Sequence, residues 1–105
     1  MTRSITLRIF ADPGHAWCRF PLKRLLALGI ANKISACSYQ NGANVFLEED
    51  CDLGVLIQAL QDRGYECRFN TTTTHTKSSK IRGFQPYTYT ANRLTSDAND
   101  CIITA

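Results

Sequence analysis

The dipeptide Asn41-Gly42 constrains this chain more than any other local feature. Asn and Gly both tolerate positive φ, so a two-residue turn of type I′ is expected here, joining two antiparallel strands. The flanking runs, 34–40 and 43–48, carry strand-like apolar residues. Such a turn sets Tyr39 opposite Asn44, Ser38 opposite Val45 and Cys37 opposite Phe46. Opposed residues share a face. Cys37, Tyr39 and Phe46 therefore form one cluster, and Ala36, Val45 and Leu47 the other. Both faces hold apolar groups, so the hairpin is either covered on both sides or binds something on one.

Other elements assemble around this hairpin. Ser4–Phe10 alternates strictly, with Ile5, Leu7 and Ile9 on one face and Ser4, Thr6 and Arg8 on the other, the pattern of a half-buried strand. Asp12-Pro13-Gly14 is a turn, and His15–Phe20 is a short apolar second strand. Pro21 suits the first turn of a brief helix carrying Leu22, Leu25 and Leu26, stopped by Gly29. Asp50 is a natural N-cap for a second helix. That helix places Leu53, Leu56, Ile57 and Leu60 at i, i+3, i+4 and i+7 and ends at Gly64. Tyr65–Phe69 alternates again, with Tyr65, Cys67 and Phe69 inward. The order predicts an α+β fold: a small, mostly antiparallel sheet with two helices on one face. A split β-α-β arrangement of ferredoxin-like type fits that order, though the short first helix weakens it.

Past residue 70 the composition changes. Thr71–Lys80 reads TTTTHTKSSK and cannot bury a core; Ile81, Phe84, Tyr87 and Tyr89 then restore apolar groups. The expected division is a compact domain over 1–70 and an extended polar, basic arm over 71–105, docked on the domain or ordered by a partner.

The net charge of +3 is too weak to mark a nucleic-acid binder, but it averages an uneven distribution. Glu48–Glu66 holds six acids and one base, whereas Thr71–Arg93 holds four bases and no acid. At 105 residues the chain has room for one domain, which excludes a large multidomain enzyme. No apolar run approaches the roughly 20 residues of a membrane helix. The polar alternation near Met1 does not read as a secretory leader. Five cysteines, an odd number with no C-x-x-C pair, suit reduced thiols in a cytoplasm, and the Asn70-Thr71-Thr72 acceptor pattern then has no use.

Candidate chemistry is sparse. His15 and Cys18 are three apart, so on a strand their side chains point to opposite faces, which disfavours a nucleophile–base pair. Glu48, Glu49, Asp50 and Asp52 could hold a divalent ion as a small metal-dependent hydrolase would, but helix capping explains Asp50 and Asp52 without a ligand. No catalytic residue, metal or cofactor is assigned. The arm offers cations beside rings: Lys77, Lys80, Arg82, Phe84, Tyr87 and Tyr89 form the candidate contact set for a partner or a phosphate backbone. Glu48 and Glu49 form an acidic counterpart. His15, Trp17 and Arg19 make a second small aromatic-basic cluster, in which Trp17 reads as core.

Several strings occur together: Gly14-His15-Ala16-Trp17, Ile34-Ser35, Ser38-Tyr39-Gln40, Val45–Asp52 (VFLEEDCD) and Ser79-Lys80-Ile81-Arg82. Over about residues 5–87 the chain resembles a group of small uncharacterised proteins carried on bacteriophages and plasmids. That resemblance brings no activity, cofactor or catalytic residue. It implies a bacterial cytoplasm and a mobile genetic element. Short proteins in that setting often act by stoichiometric binding, anti-CRISPR proteins among them. The expectation is a non-enzymatic interaction protein that binds a host protein or nucleoprotein surface and inhibits a defence component. The alternatives are a nucleic-acid-binding accessory protein using the basic-aromatic arm and the small metal-dependent hydrolase. No membrane partner is expected, and exposed edge strands admit a homodimer.

Overall fold

A computed structural model describes residues 3–74 and 79–89. Six strands form one sheet: β1 (Arg3–Ala11), β2 (Ala16–Pro21), β3 (Tyr39–Asn41), β4 (Asn44–Glu48), β5 (Tyr65–Thr73) and β6 (Gln85–Pro86). Their spatial order is β5-β1-β2-β4-β3-β6. Only β1 and β5 run parallel; the other pairings are antiparallel. Two helices, α1 (Leu22–Ala27) and α2 (Leu53–Asp62), complete the α+β fold. The split β-α-β arrangement is present: β2 and β3, joined through α1, both pair antiparallel with β4, which lies between them. The departure from a ferredoxin-like order is β1, an added strand that lies between β2 and β5.

Alternation sorts the sheet into two faces. Leu7, Ile9, Cys18, Phe20, Val45 and Leu47 lie on one face, buried against Leu25 of α1 and Leu56 and Leu60 of α2. Ile30, Ala31 and Ile34 add to this core from the stretch after α1. The helical stripe at 53, 56, 57 and 60 thus points at the sheet, with Leu56 and Leu60 fully buried and Leu53 and Ile57 at its margin. Burial pushes the Cys18 thiol up to about 12, so this thiol is inert core.

The hairpin turn differs from expectation. Asn41 pairs with Asn44, Gln40 with Val45 and Tyr39 with Phe46, so the loop is Gly42-Ala43. Gly42 has φ +62 and, among the described residues, no non-glycine residue has positive φ, which is the φ pattern of a II′ turn. The register moves by two residues, so Tyr39 and Phe46 still share a face. Cys37 leaves the strand for an exposed loop.

β5 runs to Thr73, past the boundary expected at residue 70, and the three threonines Thr71–Thr73 become strand. β-branched threonine suits an edge strand that faces water. Being an edge also leaves Phe69 53% exposed, against the inward position expected of it. Residues 79–89 lie on the domain. Gln85 and Pro86 pair with β3, and Tyr87 enters the core, its hydroxyl donating to the Ala31 carbonyl at 2.6 Å. Lys77 and residues 90–105 of the expected arm lie outside the described residues.

Candidate binding face

Among the described residues the second face of the sheet carries no α-helix, only the short 3-10 turn Lys80–Gly83. Register places Asn70, Arg8, Arg19, Phe46, Tyr39 and Pro86 in one row across all six strands. The next row holds Thr72, Phe10, Trp17 and Glu48. A small second cluster of Trp17, Phe46 and Ile81, flanked by Phe10, Tyr39 and Phe84, covers part of this face. Ring centroids stand 6.3 Å apart for Phe10 and Phe46 and 5.1 Å for Phe46 and Phe84. Trp17 is buried as expected, yet its Nε1 has no hydrogen-bond partner among the described residues.

Residues 79–84 are held over this face by one carboxylate. Asp12 Oδ1 accepts from Gly14 N and His15 N at 3.0 Å each, forming the turn between β1 and β2. Its Oδ2 accepts from Ser79 N at 2.9 Å and Arg82 Nε at 2.6 Å, and Arg82 Nη2 donates to Oδ1 at 2.8 Å. A Cβ at Gly14 would sit 3.0 Å from Arg82 Nη2, so a larger residue there would press on the guanidinium that Asp12 holds. The same guanidinium lies 5.3 Å from the Trp17 ring.

The Arg82 hydrogen bonds hold the Asp12 carboxyl far below its ordinary 3.8, with the Ser79 amide adding to the effect. A depressed carboxyl stabilises the fold above its unfolded pKa and loses that contribution as pH falls through and below it. Stability is therefore expected to fall more steeply below about pH 4 in the wild type than in Asp12→Asn, which has no carboxylate to protonate. Urea midpoints measured between about pH 2 and pH 6 check this. Parallel pH profiles for the two proteins would contradict it.

Between residues 79–84 and the strands runs an open groove of about 680 Å³. Phe10, Arg19, Phe46, Lys80 and Phe84 line it, with the amides of Asn41 and Asn44 at one end.

The structure divides the sequence-derived contact set. Lys80 is exposed at the groove, and Phe84 forms part of its wall. Arg82 is committed to Asp12. Tyr87 is corrected from contact to core residue, being 1% exposed, and Tyr89 packs half-buried against the same core. Glu48 is also corrected: it is buried, while Glu49 stays exposed. Glu48 Oε1 accepts from Asp50 N at 2.7 Å and Cys51 N at 3.0 Å, and Oε2 lies 3.1 Å from His15 Nδ1. His15, Glu48 and Asp50 bring three donor atoms within 4.8 Å of one another. Both Glu48 oxygens already have partners, so turn formation accounts for the cluster.

The expected capping is corrected as well. Asp52 is the N-cap residue of α2, but its carboxylate does not cap; it accepts from Ser35 N, Ser35 Oγ and Ser38 Oγ.

Comparison with protein-family models, curated proteins and solved structures yields no match.

The sequence placed Arg8 on the polar face of β1 but did not mark Arg8 or Phe10 as contact residues. A signal was present: Arg8 and Phe10 share the parity opposite to Ile5, Leu7 and Ile9, so a strand placed them together on the other face. Their meeting with Arg19 depends on the β1–β2 register, which only the turn determines.

Proposed function

We propose that this chain is a non-enzymatic interaction protein that presents the sheet face opposite its α-helices to a host protein or nucleoprotein surface. The observation that carries the reading is the groove in which Arg19 and Lys80 stand beside Phe10, Phe46 and Phe84. Rings and guanidinium groups are the side chains that dominate binding hot spots, and a groove lets them be desolvated together. The resemblance to bacteriophage and plasmid proteins supports a bacterial host as the setting. Inhibition of a defence component, as by anti-CRISPR proteins, would follow from occupying such a surface.

The test is affinity capture from host cells with the tagged wild type and with Arg19→Glu. The reading expects the wild type to recover one host component in near-equimolar amount and the variant to lose it. Equal recovery by both proteins would overturn it.

A further inference from the structure

Arg8 of β1 stands directly opposite Arg19 of β2, and both are exposed on the face opposite the α-helices. Like charges opposed across an antiparallel pair destabilise a sheet. Acidic neighbours usually relieve such a pair. Here the ion pairs among the described residues are His15–Glu48, Arg68–Glu66 and Arg82–Asp12, and none includes Arg8 or Arg19. The residues flanking the pair in its row are Asn70 and Phe46, neither of them charged. Glu66, the one acid of β5, is already bonded to Arg68 at 3.3 Å. Both guanidinium groups instead gather on one ring, with Arg8 Cζ 5.9 Å and Arg19 Cζ 5.3 Å from the Phe10 centroid. The sheet thus holds two cations side by side with no ion pair to either among the described residues, and Arg19 lines the aromatic groove together with Lys80.

We propose that the Arg8–Arg19 pair and the adjoining groove bind a single-stranded nucleic acid, with phosphates on the two guanidinium groups and Lys80 and bases against Phe10 and Phe84. This inference rests on the function proposed above and narrows the partner of the same face. The chemistry favours phosphate over a protein carboxylate because the rings lie beside the cations. A nucleic acid strand supplies an anion and a π-face at every residue, whereas an acidic peptide supplies only the anion. A single strand is favoured over a duplex because a base must be unstacked to reach Phe10 and Phe84, both of them half-buried in the groove wall. The Asn41 and Asn44 amides at the groove end can donate to and accept from base edges.

The test is fluorescence anisotropy with labelled oligothymidylate and oligouridylate of about ten nucleotides, a length that fits one small binding module. Wild type is expected to bind both at about 50 mM salt. Its affinity should fall with added salt at a log–log slope near −2, for three phosphate contacts. Arg19→Glu turns the opposed like charges into an opposite-charge pair. The melting temperature should therefore stay level or rise while affinity drops at least about tenfold. Lys23→Glu makes the same charge change at an exposed position of α1 and is expected to leave affinity within about twofold. Equal losses in the two variants, or affinity indifferent to salt, would overturn the inference. Failure of wild type to bind either oligonucleotide would overturn it too. If Arg19-dependent capture of a host protein persists in that last case, the proposed function stands without its nucleic-acid partner.

Discussion

Tyr87→Ala is expected to destabilise the protein by about 3–5 kcal/mol, the range for cutting a buried aromatic side chain to alanine. Tyr87 is 1% exposed although it lies in a stretch whose neighbours are polar. Its ring fills the space between the sheet and the segment after α1, its hydroxyl donates to Ala31, and its amide donates to Ser38 O at 2.8 Å. Tyr87→Phe keeps the ring and loses one hydrogen bond, so it should cost only about 1 kcal/mol. Urea unfolding of both variants separates packing from hydrogen bonding. A near-neutral Tyr87→Ala would mean that residues 79–89 are an appendage. A large loss would establish them as part of the domain, and with them the wall of the groove.

The second large effect is expected at Asp52. Asp52→Ala should cost about 3 kcal/mol, because hydrogen bonds to a charged acceptor are worth about 1.5–3 kcal/mol each and are lost together with a buried hydroxyl's partner. Ser38 is fully buried; its Oγ donates to Asp52 Oδ2 at 2.5 Å and accepts from Glu48 N at 3.0 Å. Ser35 binds the same carboxylate through its amide and hydroxyl. One carboxylate therefore ties the loop before β3 to the start of α2 and, through Ser38, to the end of β4. Asp52→Asn retains an acceptor and should lose less than Asp52→Ala. Equal losses would show that the full carboxylate, rather than a side chain of its size, is what holds Ser35 and Ser38. The ordinary capping role expected for an aspartate there would predict a loss nearer 1 kcal/mol.

Local periodicity made the helices and the first strand legible. Leu53, Leu56, Ile57 and Leu60 needed only the 3.6-residue repeat to mark the buried stripe of α2. Ile5, Leu7 and Ile9 needed only alternation. The hairpin was legible in its faces and not in its register. Gly42 alone takes the positive φ that Asn41 was also able to take, and the turn moves with it. Long-range pairings left no such trace. Nothing near Thr71–Thr73 announces a parallel partner, yet these threonines extend β5 along β1 as far as Ala11. Asp12 and Arg82 lie 70 residues apart, and each reads locally as something else, a turn former and a solvent-facing cation.

The binding face shows the same limit. The aromatic-basic composition of residues 77–89 was visible, but the fold divides its residues between tasks. Arg82 clamps, Tyr87 packs, and Lys80 and Phe84 line the groove. Their complement comes from the first two strands, where Arg8 and Phe10 belong to no motif and Arg19 stood only in a small cluster with His15 and Trp17. Only the turn at Asp12–His15, which sets Arg8 against Arg19, turns three ordinary strand residues into a cationic site. Opposed arginines that weaken their own sheet fit the wider pattern in which binding surfaces are bought with stability.

The most direct measurement asks which face of the sheet meets the partner. A photoreactive p-benzoylphenylalanine placed at Phe84, on the groove wall, preserves an aromatic ring there. The same residue at Gln58, exposed on α2, probes the helical side. On irradiation in host cells, the account predicts a discrete adduct from position 84 and none from position 58. An adduct from position 58 with none from position 84 would place the partner on the helices and contradict it.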